Sequence, residues 1–296
     1  MDVIYRYDPF QPIGHSGIDD ADSAIQTLQR GNEDFVAMAR QMQEKLFGSS
    51  SEPPVVIPKC PLSLGLPLFP GASPLQAPFG LVLGCSDARA PTEAIFDQSF
   101  NDLFVVRIAG NVLGTECLGS IDYAVRHLSS SLKVVVVLGH SGCGAVTAAV
   151  DAYLTPKNFL DIAFTHPLRS LIDRIQIAVR GAANSLRTIG GEHVEQIENY
   201  RDCLIEAAVY LNAAVTAFDL HREVQSLGST SIRVVYGVYD LVTLRVLALP
   251  EERNRPPTLK SSFGDAPQSS EDFVRLATAL AERLLKTRDF GTSGEW

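Results

Sequence analysis

Two cysteines and a histidine stand out because each follows an apolar run that predicts a buried strand. Cys85 follows the run from 80 to 84, and His140 and Cys143 follow the run from 133 to 139. Strands that alternate with helices predict a parallel sheet, and open sheets of this kind place their chemistry at the carboxyl ends of the strands. We therefore expect these three side chains to lie near one another.

Two thiolates and an imidazole are ligands that suit zinc better than magnesium or calcium. Three protein ligands leave one of the four tetrahedral positions of zinc vacant, which is the pattern of a catalytic zinc site. The alternative is a packed core, because buried free cysteines are common and this spacing also arises by chance. Spacing alone does not separate the two interpretations, but the flanking strands and glycines favour the metal.

Asp87 and Arg89 closely follow Cys85 and would lie beside such a metal. Asp87 could accept a hydrogen bond from zinc-bound hydroxide, and Arg89 could hold that carboxylate through a bidentate contact. Asp87 could instead occupy the fourth coordination position and block it. The remaining alternative is an ordinary surface ion pair, worth roughly 0–1 kcal/mol.

The periodicity of apolar residues predicts the elements that position these side chains. It indicates a helix from Ala21 to Phe47, capped by Asp20 or Asp22, with Gly31 marking a break between two helices. Further strands are predicted at 80–84, 102–108, 133–138, 231–237 and 244–249, and further helices at 90–96, 115–128, 144–153, 167–183, 193–220 and 270–286. We therefore predict an α/β fold: a central, mostly parallel β-sheet flanked by helices, with an N-terminal helical arm and a C-terminal helix.

We expect all 296 residues to form a single domain. The helix that precedes the proline-rich stretch is too short to fold alone, so that stretch is not a domain boundary. Within the domain we expect an irregular arm at 1–20, a proline-rich connection at 48–78 and a C-terminal extension at 250–296.

The composition is ordinary for a soluble globular protein, with 46% apolar and 20% charged residues. A net charge of −9 argues against a nucleic-acid partner. No apolar run approaches the roughly 20 residues that span a bilayer, and the N-terminus lacks the features of a secretory signal. The five cysteines, an odd number, do not suggest a disulfide scaffold. We expect a cytoplasmic protein that binds neither nucleic acid nor membranes.

The chain carries four motifs in a fixed order. They are Cys85-Ser-Asp-Ala-Arg-Ala-Pro91, Phe104-Val-Val-Arg-Ile-Ala-Gly-Asn111, Ile121-Asp-Tyr-Ala-Val125 and Gly139-His-Ser-Gly-Cys-Gly144. Together they resemble the β-class carbonic anhydrases, over a stretch from about Ala24 to Leu249. The chain departs from the family at Leu244, where a glycine is common, and this puts the conformation of that turn in doubt.

The resemblance implies a zinc lyase, a carbonate dehydratase that hydrates carbon dioxide reversibly to bicarbonate and a proton by means of zinc-bound hydroxide. It implies one Zn²⁺ per subunit, held by Cys85, His140 and Cys143. Asp87 and Arg89 would be the catalytic pair beside the metal.

The resemblance also implies a substrate pocket. Gln76 would orient the substrate, and the backbone N–H of Gly144 could face it. Phe104, Ala109 and Tyr123 would line a narrow apolar pocket, although for Phe104 and Tyr123 the residues alone favour simple core packing. In this family the sites lie at a dimer interface, so a homodimer or homotetramer is expected.

Other functions compete for the same residues. Hydrolysis of carbonyl sulfide or carbon disulfide would use the same ligands and the same hydroxide attack. A non-catalytic, zinc-stabilised protein that responds to bicarbonate is a further alternative, but the presence of Asp87, Arg89 and Gln76 disfavours it. A redox role for the cysteines is weaker still, because there is no Cys-x-x-Cys pair.

Overall fold

The computed structural model of the chain describes residues 3–7, 18–47, 55–59, 71, 73, 75–162, 164–251 and 262–287. Its strands and helices are, in order, β1 (Val3–Tyr7), α1 (Ala21–Phe47), β2 (Val55–Lys59), β3 (Gly80–Gly84), α2 (Thr92–Ile95), β4 (Leu103–Arg107), α3 (Thr115–His127), β5 (Val134–His140), α4 (Gly144–Leu154), α5 (Phe159–Ile162), α6 (His166–Gly190), α7 (Tyr200–Ser226), β6 (Arg233–Tyr239), β7 (Val246–Leu247), β8 (Gly264–Asp265) and α8 (Ser270–Thr287). The predicted α/β fold class is confirmed.

A six-stranded sheet forms the centre of the molecule, in the order β4-β3-β5-β6-β7, with β8 also paired to β6. The strands β4, β3, β5 and β6 run parallel, whereas β7 and β8 run antiparallel to β6. Gly84 at the end of β3 pairs with Leu138 near the end of β5. This register brings the residues that follow Gly84 close to the end of β5.

Helices cover both faces of the sheet. Val135 and Val137 of β5 belong to the core that α3, α4, α6, α7 and α8 share. Val134 and Val136 belong to the smaller core beneath α1 and α2. Every residue of β5 is therefore buried, as expected for a central parallel strand of an α/β protein.

The helix predicted from Ala21 to Phe47 is confirmed, but the predicted break at Gly31 is wrong because α1 continues through it. A Cβ atom at Gly31 would lie 1.7 Å from the carbonyl oxygen of Phe96. Glycine at this position allows α1 to approach the backbone after α2. Asp20 caps the helix, since its Oδ1 accepts a hydrogen bond from the backbone N–H of Ser23 at 2.8 Å.

Three short strands lie where none was predicted. Strand β1, inside the expected irregular arm, pairs in parallel with β2, inside the expected proline-rich connection. Strand β8, inside the expected C-terminal extension, pairs with β6. Each of these strands forms by pairing with a strand distant in sequence, and local periodicity does not reveal such a partner.

Much of the arm, the connection and the extension lies outside the described residues, and the single-domain organisation remains a prediction.

Helix α7 corrects the expectation that no segment is long and apolar enough to cross a membrane. By length and composition its 27 residues meet that requirement. Most of its apolar stretch is buried inside the protein, between the sheet and helices α6 and α8. A helix surrounded by protein is apolar on every side, so this composition is explained by the core.

The turn after β6 contains Leu244, which has a left-handed backbone with φ of 62°. The glycine common in the family would adopt this conformation more easily. Asn32 of α1 nevertheless fixes the turn. Its Nδ2 donates to the carbonyl oxygen of Leu244 at 3.0 Å, and its Oδ1 accepts from the backbone N–H of Val246 at 2.9 Å. The departure at Leu244 therefore leaves a well-bonded turn.

Candidate metal centre

Cys85, His140 and Cys143 come together at the carboxyl ends of β3 and β5. One potential ligand atom from each lies within 4.8 Å of the other two, and all three residues are buried. The sulfur atoms of Cys85 and Cys143 are 3.9 Å apart. The sheet thus assembles the two thiols and the imidazole that the sequence singled out.

A tight turn places the last two of these residues. His140 ends β5, and Gly142, with φ of 63°, turns the chain so that Cys143 directly precedes α4. Ser141 ties this turn to β6, because its N–H donates to the carbonyl oxygen of Tyr239 at 2.9 Å. Glycine is favoured at 142 because it adopts this left-handed backbone without strain.

The imidazole of His140 is oriented by the backbone. Its Nδ1 lies 3.0 Å from the carbonyl oxygen of Ser141, which only accepts hydrogen bonds, so Nδ1 carries the proton. Its Nε2 is buried and has no hydrogen-bond partner among the described residues. A buried nitrogen without a partner is costly, whereas a metal ligand needs this free lone pair. The donor set therefore fits a zinc ion better than a packed core.

The two thiols are electrostatically coupled. A hydrogen bond from the Cys143 thiol holds the pKa of Cys85 well below its usual range. The same bond, together with burial, raises the pKa of Cys143 above its usual range. The backbone N–H of Gly110, 3.3 Å from the Cys85 sulfur, stabilises the Cys85 thiolate further. A metal ion would take the place of the proton that the two sulfurs share.

Asp87 and Arg89 form the bidentate pair that the sequence suggested. Nη2 of Arg89 donates to Oδ2 of Asp87 at 2.7 Å, and Nε donates to Oδ1 at 3.0 Å. The Arg89 guanidinium holds the pKa of the Asp87 carboxyl well below its usual range. Oδ2 lies 3.8 Å from Nε2 of His140, so the carboxylate borders the cluster. Arg89 engages both oxygens, which matches the interpretation in which Arg89 holds the carboxylate beside the metal.

Arg107 is a residue whose role the sequence did not reveal. It ends β4, the strand beside β3. Its Nε donates to the carbonyl oxygen of Cys85 at 2.9 Å, and its Nη2 donates to that of Asp87 at 2.5 Å. The sequence offered one signal for this role: a charged residue, Arg107, ends an apolar strand that lies beside the strand leading to Cys85. Arg107 holds the loop that carries the first cysteine and the aspartate.

The predicted substrate residues occupy different environments in a single chain. Ala109 begins the short helical turn Ala109–Asn111, whose Gly110 contacts Cys85. Gly144 is adjacent to Cys143 and begins α4. Gln76 is exposed on the segment before β3. Among the described residues, no hydrogen bond joins Gln76 to the three candidate ligands.

Phe104 and Tyr123 lie towards the β4 edge of the sheet. Phe104 is half-buried on β4 and packs against the larger core. Tyr123 on α3 is 49% exposed, and its ring lies 4.8 Å from that of His127. Their roles in a pocket remain predictions, because Tyr123 is about half exposed to solvent in a single chain.

A sequence model of the family described as "Carbonic anhydrase" matches residues 80–245, more than half of the chain. This chain belongs to the β-class carbonic anhydrase family. The match covers the sheet from β3 to the turn before β7 and includes all three residues of the Cys-His-Cys cluster.

Two curated mycobacterial carbonic anhydrases are similar to the chain. Carbonic anhydrase 2 of Mycobacterium tuberculosis is 40% identical over 130 residues, which are 44% of this chain and 53% of that protein. The carbonic anhydrase of Mycolicibacterium smegmatis is 32% identical over 169 residues, 56% of this chain and 75% of that protein. The chain thus spans about half the length of the Mycobacterium tuberculosis relative.

Among solved structures, a tetrameric β-carbonic anhydrase of Sordaria macrospora is similar with 25% sequence identity and a TM-score of 0.44. The similarity covers 58% of this chain and 80% of that one.

Proposed function

We propose that this chain is a carbonate dehydratase, which hydrates carbon dioxide reversibly to bicarbonate and a proton. One zinc ion per subunit would be held by Cys85, His140 and Cys143. The observation that carries the proposal is the buried Cys-His-Cys cluster, in which Nε2 of His140 has no hydrogen-bond partner among the described residues. Three such ligands leave one tetrahedral position open for chemistry.

When bound, zinc supplies a Lewis acid that makes a water molecule nucleophilic near neutral pH. The ionised Asp87 would accept a hydrogen bond from that water-derived nucleophile and so orient it towards the substrate carbon. Arg89 keeps the carboxylate ionised and fixed in place through its two hydrogen bonds. Arg107 holds the backbone on which Asp87 sits.

Carbon dioxide is apolar, but its oxygens become negative as the new bond forms. The backbone N–H of Gly144 lies at the start of α4, where the helix dipole favours negative charge. Gln76 would add a side-chain amide donor, and Phe104, Ala109 and Tyr123 would supply the apolar wall. Gln76 and Tyr123 are exposed in a single chain, so a further protein surface must cover them to close the pocket to solvent.

A second copy of the chain would provide this cover, and we expect a homodimer or homotetramer. Strand β4 is an edge of the sheet that the described residues form, and an open edge readily accepts another chain. Two exposed aromatic side chains lie nearby: Phe100, just before β4, is 62% exposed, and Tyr123 is 49% exposed. Light scattering should give at least twice the mass of one chain. A fully active monomer would contradict this assembly.

The proposed activity is tested by stopped-flow carbon dioxide hydration across about pH 6 to 9, on protein of measured zinc content. We expect activity to rise with pH and to follow zinc occupancy. Removing zinc with a chelator should abolish turnover, and adding zinc back should restore it. Stoichiometric zinc without hydration at any pH, or full activity in zinc-free protein, would overturn the proposal.

A further inference from the structure

Asn212 is a buried amide on the core helix α7. It is 2% exposed, and its neighbours Leu211 and Ala213 are buried apolar residues. Its Nδ2 donates a hydrogen bond of 2.8 Å to the carbonyl oxygen of Gly110. A buried amide costs free energy unless it is hydrogen-bonded, so this contact accounts for a polar residue at a core position.

Gly110 continues the connection to the metal centre. Its N–H donates to the Cys85 sulfur at 3.3 Å. It has φ of 69°, and a Cβ atom there would lie 2.9 Å from Cδ1 of Ile175 and 3.1 Å from Cβ of Ala145. The residue is thus wedged between α6 and α4 with a left-handed backbone, and Asn212 holds its carbonyl group.

We infer that Asn212 is a positioning residue for the Cys85 thiolate, because it fixes the Gly110 backbone whose N–H donates to that sulfur. This inference rests on the proposed zinc enzyme. A hydrogen bond to a ligand sulfur withdraws negative charge from it, and such outer-shell contacts tune a bound metal. Without the hydrogen bond from Gly110, the Cys85 sulfur would donate more charge to the metal, and the metal would be a weaker Lewis acid.

The test uses the full-length protein carrying cobalt(II) in place of zinc, since the thiolate-to-cobalt charge-transfer band reports the charge on sulfur. In Asn212→Leu, which has a similar size but no donor, we expect the band to move to longer wavelength. We also expect metal affinity, measured by competition with a chelator, to fall about tenfold or more, because the backbone that positions the Cys85 sulfur is no longer held in place and this loss outweighs the stronger donation from sulfur. The hydration profile should move to higher pH in the zinc form.

Thr216→Val is the matched control. Thr216 is one turn further along α7, is also buried at 4% exposure, and lines with Asn212 the same cavity of about 540 Å³. The control should leave the charge-transfer band and metal affinity unchanged. If Asn212→Leu fails to fold by circular dichroism, Asn212→Ala compared with Thr216→Ala answers the same question.

An Asn212 variant with the wild-type band and wild-type metal affinity would overturn the inference, as would a Thr216 variant that shifts the band equally. Both readouts are made without carbon dioxide. They therefore separate this inference from the proposed activity, whose failure would instead appear as a wild-type zinc protein that does not hydrate carbon dioxide.

Discussion

His140→Ala is expected to lose its zinc and to reduce carbon dioxide hydration at least about a thousandfold, because activation of water near pH 7 depends on the metal. His140 supplies the buried Nε2, and both neighbouring thiols already belong to the cluster, so His140→Ala leaves only two of its three donors. Cys143→Ala should have the same result, since it leaves one sulfur and one nitrogen. Metal content by mass spectrometry and stopped-flow hydration measure the two effects separately.

Two matched variants show that the loss is specific to the cluster. Cys117→Ala removes another buried thiol, on α3, and His193→Ala removes an exposed imidazole. Both should keep one zinc per chain and wild-type turnover. A His140→Ala protein that is free of zinc yet fully active would refute the metal mechanism, and one that retains zinc at wild-type affinity would remove His140 from the ligands.

The central features of this centre could be predicted because they depend on local sequence. Every residue of β5 is apolar up to Gly139 and His140, and a parallel sheet brings strand ends to one edge. Cys85 follows β3, which pairs directly with β5. Residue types and the ends of two strands were therefore sufficient to place the thiols beside the imidazole.

The residues that hold the centre in place could not be predicted, because their partners are distant in sequence. Arg107 contacts the backbone of Cys85 from the neighbouring strand, and Asn212 reaches Gly110 from a helix 102 residues away. Helical periodicity identifies α7 as apolar but does not indicate which backbone group a polar residue on it meets. The predicted break at Gly31 was wrong for the same reason. Glycine is needed there because the backbone of Phe96, distant in sequence, packs closely against it.

Asp87→Asn is expected to retain zinc and to lose about a hundredfold or more of its turnover, the range typical of a lost acid–base group. The amide has the same shape but no negative charge, so it accepts the hydrogen bond of the nucleophile less strongly. Zinc should remain, because Asp87 is bound by Arg89 and is not a member of the Cys-His-Cys cluster. Glu116→Gln, an exposed change on α3, should have no effect on either quantity.

The depressed pKa of Asp87 sets the expected pH dependence. Arg89 lowers this pKa below the ordinary value of about 3.9, so Asp87 remains ionised throughout the neutral range. Its contribution to stability is present above about pH 4 and is lost only as pH falls through the lower folded-state pKa. A decline in activity between about pH 8 and 6 therefore reports the metal centre and not protonation of Asp87.

A double-mutant cycle separates the two members of the pair. The Arg89 side chain is 60% exposed and is paired with Asp87. If Arg89 acts on the reaction through Asp87, as proposed, Arg89→Ala alone should reduce turnover by loosening the carboxylate. In the Asp87→Asn background the same change should have little further effect, because the group that Arg89 positions has already lost its charge. Equal losses in both backgrounds would mean that Arg89 contacts the substrate directly. Loss of zinc in Asp87→Asn would instead make Asp87 a ligand.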